Sequence, residues 1–473
     1  MDWKSVSSSF HVLPASDVLA MRRMARHQDV RNRLDWLRSE EPPLALLFVS
    51  HRWETLEHPD PSGRQLRAIQ DFLGRLCTCV EALLVSKEER LKLVPSLAYE
   101  GPLQAAEVAR RMFGFGPFGD SPAGLGSRKA RALVSAAFEK RRCDDGSFRE
   151  WLTTRIGLWL DYTCMPQRPL SPEEEPEFRR SLGALDELVA SAIVVALRQA
   201  GDDYAVRGWC ASEFFLASER SFARGLFVDI DRLEKCEAVA LSPAPAPAGA
   251  PEAVSAVMQE AYANDLAAFR RACEEWSSFQ GPLAQATPAD AWSAYRSLQG
   301  SGFYTSEQDP NPFRRALEAI RSLETTLVET WLLSAEPRTV DLGKMVGDCL
   351  ARHGLHCSES ADLVYLGFLL SCHGWVDAFK PLFQDCLKAY LARAVVGAHQ
   401  TAEDAPPILR VRLTPLDAEV RALLSQVEPC SAATWHSRLS TGPSTRERAV
   451  VDQVRRALEA NPPQFAIESA VRS

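Results

Sequence analysis

The chain has 473 residues, 46% hydrophobic and 25% charged, with a formal net charge of -8 at pH 7. This length predicts two or three domains of ordinary globular composition. The negative charge argues against a general nucleic-acid binder, which would carry a basic stripe. The N-terminus begins no signal-like apolar segment, and the longest apolar stretch is about half of what a membrane helix needs. We therefore expect a cytoplasmic protein without membrane contact, whose scattered cysteines are reduced core thiols.

The first part of the chain predicts a helical extension followed by a buried strand. Apolar residues recur at helical spacing over 15–40, so residues 1–41 are expected to form an N-terminal helical extension. The continuous apolar run 44–49 predicts a strand buried on both faces, as in a parallel sheet. A helix carrying Leu66 to Leu76 comes next.

Further strands alternate with helices beyond a long interruption. Glycines and prolines cluster within 77–150 and predict a loop-rich insertion. Apolar runs then predict strands at 156–161, 192–197 and 225–230, with a fifth near 238–241. Strands and helices alternating at this spacing predict an α/β domain with a doubly wound parallel sheet.

A proline–alanine segment at 242–252 predicts a linker. The α/β domain would therefore cover 42–241. Beyond the linker, the apolar spacing indicates helices almost throughout, so residues 253–473 are expected to form an all-helical C-terminal domain.

Polar and aromatic side chains come directly after three of the predicted strands. Ligands of a doubly wound sheet bind at the carboxyl ends of its strands. The first strand is followed by Ser50, His51, Arg52 and Trp53, the second by Asp161 and Tyr162, and the third by Tyr204, Arg207, Trp209 and Glu213. Trp209 and Glu213 share one helical face because they are four residues apart. A cation, hydroxyls, aromatic faces and a carboxylate suit a nucleotide with a ribose and a flat base.

Three of these segments resemble the boxes of a Toll/interleukin-1 receptor (TIR) domain of the bacterial or algal type. Phe48-Val49-Ser50-His51 resembles the first box, and Trp159-Leu160-Asp161 resembles the second strand and its loop. Ile193-Val194-Val195, followed by Trp209 and Glu213, resembles the third strand and the helix with the Trp-x-x-x-Glu pattern. The resemblance covers 42–241 and implies a flavodoxin-like sheet.

The family includes adaptors that bind one another and enzymes that cleave the nicotinamide–ribose bond of NAD, often in antiviral defence or cell-death signalling. The resemblance implies an NAD-cleaving enzyme of the hydrolase or cyclase type, with NAD as substrate, no cofactor, and Glu213 as the catalytic residue. A carboxylate there would stabilise the oxocarbenium-like ribosyl centre that remains when nicotinamide leaves. The other candidate substrate-binding residues are Ser50, Arg52 and Asp161 for phosphates and ribose, Trp53, Tyr162 and Trp209 for nicotinamide, and His51 for orienting the first loop.

The resemblance also implies regulation by assembly. TIR enzymes are commonly activated by self-association, so we expect a homo-oligomer, or a signalling or defence partner bound through the C-terminal half. Two departures concern this point. The second loop reads Cys164-Met165-Pro166-Gln167 where the family usually has a Pro-Gly turn, and the 77–150 insertion, a lid or an interface, is longer than the usual connection.

Two other functions fit the same residues. A non-catalytic TIR-like scaffold would direct Glu213 to solvent or to an ion pair. A nucleoside deoxyribosyltransferase-like enzyme would attack with a carboxylate in a pocket sized for one nucleoside. Individual residues also have structural interpretations: packing for Trp209, a strand-end ion pair for Arg52, and loop bracing for Asp161.

Cysteines and histidines also cluster in the C-terminal half. They are Cys349, His353, His356, Cys357, Cys372 and His373. Cys349 lies on the apolar stripe of its helix and the cluster has no Cys-x-x-Cys pair, so we expect no metal there.

Overall fold

The computed structural model describes residues 3–32, 37, 42–84, 127–141, 147–198, 202–220, 225–229, 312–372, 379–396, 409–426 and 445–469. The chain forms two compact units. The first comprises Met1–Asp202 and Ala217–Asp309, and the second comprises Asp203–Leu216 and Pro310–Ser473. The predicted linker, the predicted strand near 238–241 and the glycine cluster of the insertion lie outside the described residues.

The first unit combines a sheet with many helices. Its strands are β1 (Leu13–Pro14), β2 (Ala45–Ser50), β3 (Ile156–Trp159), β4 (Ile193–Arg198) and β5 (Gly225–Asp229). Its helices are Trp3–Ser9, Ala15–Ala20, His27–Val30, Arg64–Leu84, Ser127–Arg141, Ser147–Thr154, Asp161–Cys164, Glu175–Gly183 and Leu185–Ser191. The next helix, Gly208–Arg220, begins among residues of the second unit.

The strands of the first unit form one sheet in the order β1-β3-β2-β4-β5. β2 pairs in parallel with β3 and β4, β4 pairs in parallel with β5, and only β1 is antiparallel. All six residues of β2 are buried, which is why its sequence is a continuous apolar run. The four strands predicted at 44–49, 156–161, 192–197 and 225–230 are confirmed to within one or two residues.

Aromatic rings fill the sheet core beside β2 and β3. Phe48 and Trp159 are register partners, and their rings stack with centroids 4.7 Å apart and planes 14° from parallel. Phe10 meets the same indole edge-on at 6.1 Å. This contact anchors the N-terminal segment on the sheet, because Phe10 and the β1 residue Leu13 are both buried.

The N-terminal segment differs from the predicted helical extension. The helix expected over 15–40 is replaced by the short helices Ala15–Ala20 and His27–Val30, and Leu13–Pro14 adds a strand to the sheet. Met21 is extended, and the Gln70 side chain donates to the carbonyls of Val18 and Met21 at 3.0 and 2.8 Å. The carbonyl groups at the end of the first short helix thus accept from a side chain that is distant in sequence. The prediction of one helix over 15–40 was wrong.

The second unit is not all helical. Its helices are Pro312–Leu327, Leu342–Arg352, Ser360–Ser371, Lys380–Val396, Ala418–Leu424 and Thr445–Ala460, with a π-helical turn at Val328–Leu332. Its strands are β6 (Arg338–Asp341), β7 (Leu409–Leu413) and β8 (Phe465–Ser469), which form an antiparallel sheet with β7 in the centre. The all-helical prediction was wrong because it overlooked the alternation Leu-Arg-Val-Arg-Leu of β7, whose leucines and valine are buried and whose arginines are exposed.

Helices Leu342–Arg352 and Ser360–Ser371 pack closely at Gly367. A Cβ built on Gly367 would lie 1.9 Å from Val346 Cγ1, so a glycine is needed for this approach. We expect Gly367→Ala to lower the free energy of unfolding of the second unit by about 1–3 kcal/mol through overpacking. Gly74→Ala is the control: it lies in a helix with no atom near its added Cβ and should stabilise the protein by about 0.5–1 kcal/mol.

Urea denaturation of both glycine variants tests this expectation. If the two changes shift the unfolding midpoint in the same direction, the close helix packing at Gly367 is contradicted.

None of the helices described is long and apolar enough to cross a lipid bilayer.

Candidate functional site

The ends of β2 and β3 bring a histidine and a carboxylate together. These parallel strands are neighbours, with Phe48 opposite Trp159, so the residues after them emerge at the same sheet edge. His51 Nε2 lies 3.0 Å from Asp161 Oδ1, and Trp53 Nε1 donates to Asp161 Oδ2 at 2.8 Å. The first and second predicted clusters therefore meet through side-chain contacts.

Gln65 determines the protonation of His51. Its Nε2 donates to the carbonyls of Arg52 and Pro59 at 3.0 and 2.8 Å, which leaves its Oε1 to accept from His51 Nδ1 at 3.0 Å. The other ring nitrogen faces a carboxylate, which can only accept. His51 thus donates from both ring nitrogens, and with Asp161 it forms an imidazolium–carboxylate pair.

The loop after β2 is closed by Asp60. Its Oδ1 and Oδ2 accept from the backbone N–H groups of Gln65 and Leu66 at 3.0 and 2.7 Å, which satisfies donors at the start of helix Arg64–Leu84. Asp60 is buried, so these bonds are shielded from water. Sequence reasoning missed Gln65 and Asp60, although Asp60 precedes the helix in a Pro-Asp-Pro-Ser-Gly turn that is typical of a helix start.

The charge on Asp161 is held by three donors. Burial acts to raise the pKa of its carboxyl and is the largest single influence. The charge and hydrogen bond of His51, with the N–H groups of Trp53 and Tyr162, together outweigh burial and hold that pKa below its usual value. Asp161 is therefore an ionised acceptor near neutral pH.

The Asp161 carboxylate has room for a further hydrogen bond from a ligand. A carboxylate offers about four lone-pair sites, and the described contacts use three of them. Its side chain is 28% exposed, whereas that of His51 is 1% exposed. One more donor, such as a ribose hydroxyl, could therefore reach this carboxylate from solvent.

Aromatic rings border the carboxylate. Tyr162 meets Trp53 edge-on with ring centroids 5.4 Å apart, and the centroid of the His58 ring lies 4.9 Å from that of Tyr162. Tyr162 is buried, and Trp53 is half-buried. Trp53 is thus the ring of this pair with a surface that a flat base could contact.

Ser50 and Arg52 lie beside this network. Ser50 is buried at the end of β2, opposite Ala196 of β4. Arg52 is half-buried, and its carbonyl accepts from Gln65. The geometry assigns neither side chain to a ligand, so their predicted substrate contacts stay predictions.

Trp209 packs within the second unit. Its Nε1 donates to Asp362 Oδ2 at 3.0 Å, and its ring lies 5.7 Å from that of Tyr365. The helix start is equally close-packed, because Gly208 N donates to His356 O at 2.7 Å and a Cβ on Gly208 would lie 2.5 Å from Cys357 Sγ. These contacts favour the packing interpretation of Trp209.

Glu213 lies one helical turn beyond Trp209 and is half-buried. The two residues lie in the second unit, whereas Ser50, His51 and Asp161 lie in the first. The prediction that Glu213 completes a site with the ends of β2 and β3 stays a prediction.

Cys164 and Cys357 are free thiols and poor nucleophiles. Burial raises the pKa of both to about 12, so they are protonated near neutral pH. Within the described residues, which do not include His373, the C-terminal cysteines and histidines do not converge. The group close enough together to hold a metal ion consists of His11, His27 and Glu177. The sequence did not indicate this group, because its members are far apart along the chain.

Comparison with known proteins identifies no family for this chain. The chain matches no protein-family model, no curated protein and no solved structure.

Proposed function

We propose that this protein is a TIR-like enzyme that cleaves the nicotinamide–ribose bond of NAD. The observation that carries the proposal is the fixed, 28% exposed Asp161 carboxylate at the carboxyl edge of a parallel sheet, with the half-buried Trp53 ring beside it. A carboxylate that keeps a single orientation suits a ribose hydroxyl, and an indole suits a flat base.

The strand order supports the same proposal. The parallel strands have the order β3-β2-β4-β5, which corresponds to the first four positions of the flavodoxin-like order 2-1-3-4-5. In sheets of that order ligands bind beyond the carboxyl ends of the strands. Ser50, His51 and Asp161 follow or end strands at that edge.

In this proposal some residues hold the substrate and another stabilises the charge that forms on it. Asp161 would hold a ribose hydroxyl, and His51 would keep the carboxylate in its orientation. Glu213 would stabilise the positive charge that develops on the ribose as nicotinamide leaves. Nicotinamide departs with the electron pair of the broken bond and needs no proton, so no second acid is required. The ribosyl carbon then bonds to water, or to a nucleophilic atom of the same molecule in cyclisation, and any proton released goes to solvent.

Nicotinamide release from NAD tests the enzymatic proposal. The full chain is incubated with NAD, alone and with a crowding agent that promotes assembly, and nicotinamide is measured by chromatography. We expect Glu213→Gln to lower the rate about 100-fold or more, since it removes one charge-stabilising group. Glu187→Gln, an exposed glutamate on helix Leu185–Ser191, is the matched control and should keep the wild-type rate. Equal rates in the two variants would exclude Glu213 as the catalytic residue.

A non-catalytic scaffold is the second candidate. It is favoured by the engagement of the predicted ligand-binding groups inside the protein: Asp161 accepts three donors, and the Trp209 indole N–H is bonded to Asp362. A folded wild-type chain that self-associates but releases no nicotinamide under either condition would support this function over the enzyme.

A further inference from the structure

Two histidines and a glutamate converge outside the candidate site. His11 Nε2 lies 2.9 Å from Glu177 Oε1, and His27 Nε2 lies 3.4 Å from the same oxygen. The three possible ligand atoms all lie within 4.8 Å of one another. His27 is fully buried and Glu177 is nearly so, whereas the His11 side chain is 32% exposed. The cluster therefore combines buried ligands with one side open to solvent.

The backbone orients His27 as metal-binding histidines are oriented. His27 Nδ1 lies 3.0 Å from the Thr163 carbonyl oxygen, which can only accept, so Nδ1 carries the proton. In the neutral ring the lone pair of Nε2 then points towards Glu177 Oε1. Both of these atoms are shielded from water. A cation between them satisfies both atoms: a proton on Nε2 does so when no metal is bound, and a metal ion can take its place. A backbone carbonyl on the distal nitrogen is a common outer partner of metal-bound histidine.

The separations of the two histidines from Glu177 Oε1 are close to those of a small tetrahedral ion. Ligand atoms about 2.0–2.1 Å from a zinc ion lie about 3.3 Å apart in a tetrahedron. The His27–Glu177 separation of 3.4 Å agrees with this value, and the His11–Glu177 separation of 2.9 Å requires only a small outward movement of the partly exposed His11. Arg31 Nη2 contacts the other oxygen, Oε2, at 3.3 Å, so Glu177 would bind through Oε1 alone.

We propose that His11, His27 and Glu177 bind one divalent transition-metal ion of the zinc class, with water as the fourth ligand on the side of His11. Two imidazole nitrogens with one carboxylate favour Zn²⁺ and the other late first-row transition-metal ions over Mg²⁺ and Ca²⁺, which prefer oxygen ligands. This proposal departs from the expectation of a chain without metal, and it does not depend on the proposed NAD chemistry.

The ion would brace the turn that carries Asp161. Thr163, the partner of His27, lies in the short helix that Asp161 begins, and its Oγ1 also donates to the Ala25 carbonyl at 2.8 Å. Arg26 donates to the Gln167 carbonyl at 2.9 Å. The metal would thus join the N-terminal segment and helix Glu175–Gly183 to the loop after β3.

Zinc binding to the full chain tests the site. After removal of metal with a chelator, the protein is dialysed against Zn²⁺ and the bound metal is counted by mass spectrometry. We expect one zinc per chain, and Co²⁺ should give the intense visible absorption of tetrahedral coordination. Glu177→Gln and His11→Ala should each weaken zinc binding by more than about 100-fold, since loss of even an outer partner costs 10–100-fold.

Matched controls separate this site from surface binding. Glu175→Gln changes a glutamate on the same helix that pairs with Arg179, and His356→Ala changes an exposed histidine; both should bind zinc as the wild type does. If Glu177→Gln fails to fold, His11→Ala alone is sufficient for the test, because the His11 side chain is partly exposed. No zinc in the folded wild type, or equal affinity in His11→Ala and His356→Ala, would overturn the proposal.

Discussion

Replacing Asp161 with Asn should destabilise the first unit by about 3 kcal/mol. The carboxylate accepts from His51, Trp53 and the Tyr162 N–H, whereas an asparagine amide has one accepting and one donating end. Either orientation therefore sets an N–H group against another donor. Breaking a buried ion pair costs about 3–5 kcal/mol, and the 28% exposure of Asp161 places this case at the lower end.

Amide hydrogen exchange measures each loss in the unit that carries the residue: in β2 and β3 for Asp161→Asn, and in the helices of the second unit for the control variant. Asp203→Asn is the control, because Asp203 also faces a histidine and an arginine, at 3.8 Å from His356 and 3.6 Å from Arg207, but its side chain is 40% exposed. An exposed pair contributes less than about 1 kcal/mol. Losses of the same size in both variants would show that the Asp161 network is no more than a surface contact.

The stability lost in Asp161→Asn should also depend on pH in a defined direction. The folded pKa of Asp161 is lowered, so this group stabilises the fold above its unfolded pKa of about 4 and loses that contribution as the pH falls through the folded value. The difference between wild type and Asp161→Asn should therefore be full near pH 6 and shrink in acid. A difference that grows below pH 4 would contradict the ionised state.

Trp159→Ala should cost about 4 kcal/mol, the larger of the two effects. The indole is buried, stacks on Phe48 at 4.7 Å and meets Phe10 edge-on. Removing it leaves a cavity between β2, β3 and the N-terminal segment that the rigid sheet cannot close, and aromatic-to-alanine changes in cores cost about 3–5 kcal/mol. The measurement is the urea midpoint of the first unit, followed by exchange in the same strands.

Trp159→Phe is the informative comparison for this residue. The indole Nε1 is buried without a hydrogen-bond partner among the residues that the structure describes. Phenylalanine keeps most of the stacking and removes this unsatisfied N–H, whose burial costs about 1–3 kcal/mol. We therefore expect Trp159→Phe to stay within about 1 kcal/mol of the wild type. A loss as large as that of Trp159→Ala would indicate that the N–H is bonded.

The sheet was predictable because a central parallel strand has a simple signature. Every residue of β2 is buried, so its sequence is an unbroken apolar run. The end of that run located Ser50 and His51, and the end of β3 located Asp161. Adjacent parallel strands deliver the residues after them to one edge, which is why His51, Trp53 and Asp161 meet.

Other features depend on contacts that a local pattern does not encode. The helix predicted over 15–40 stops at Ala20, where Gln70 satisfies the carbonyls of Val18 and Met21. Gln65 orients His51, and neither glutamine stands out in its own segment. The cluster of His11, His27 and Glu177 draws on three distant elements. The antiparallel strand β7 does have a local pattern, the alternation of apolar and charged residues in Leu409–Leu413. This alternation was overlooked because the segments around it have helical spacing.

The second unit is built from two separate stretches of the chain, and this arrangement restricts how the chain can be divided into fragments. Residues Asp203–Leu216 belong to it although residues on both sides belong to the first unit. A fragment that begins after the proline–alanine segment would lack Trp209, the hydrogen-bond donor to Asp362 and ring neighbour of Tyr365. A single cut in the chain therefore cannot separate the second unit, with all of its residues, from the first.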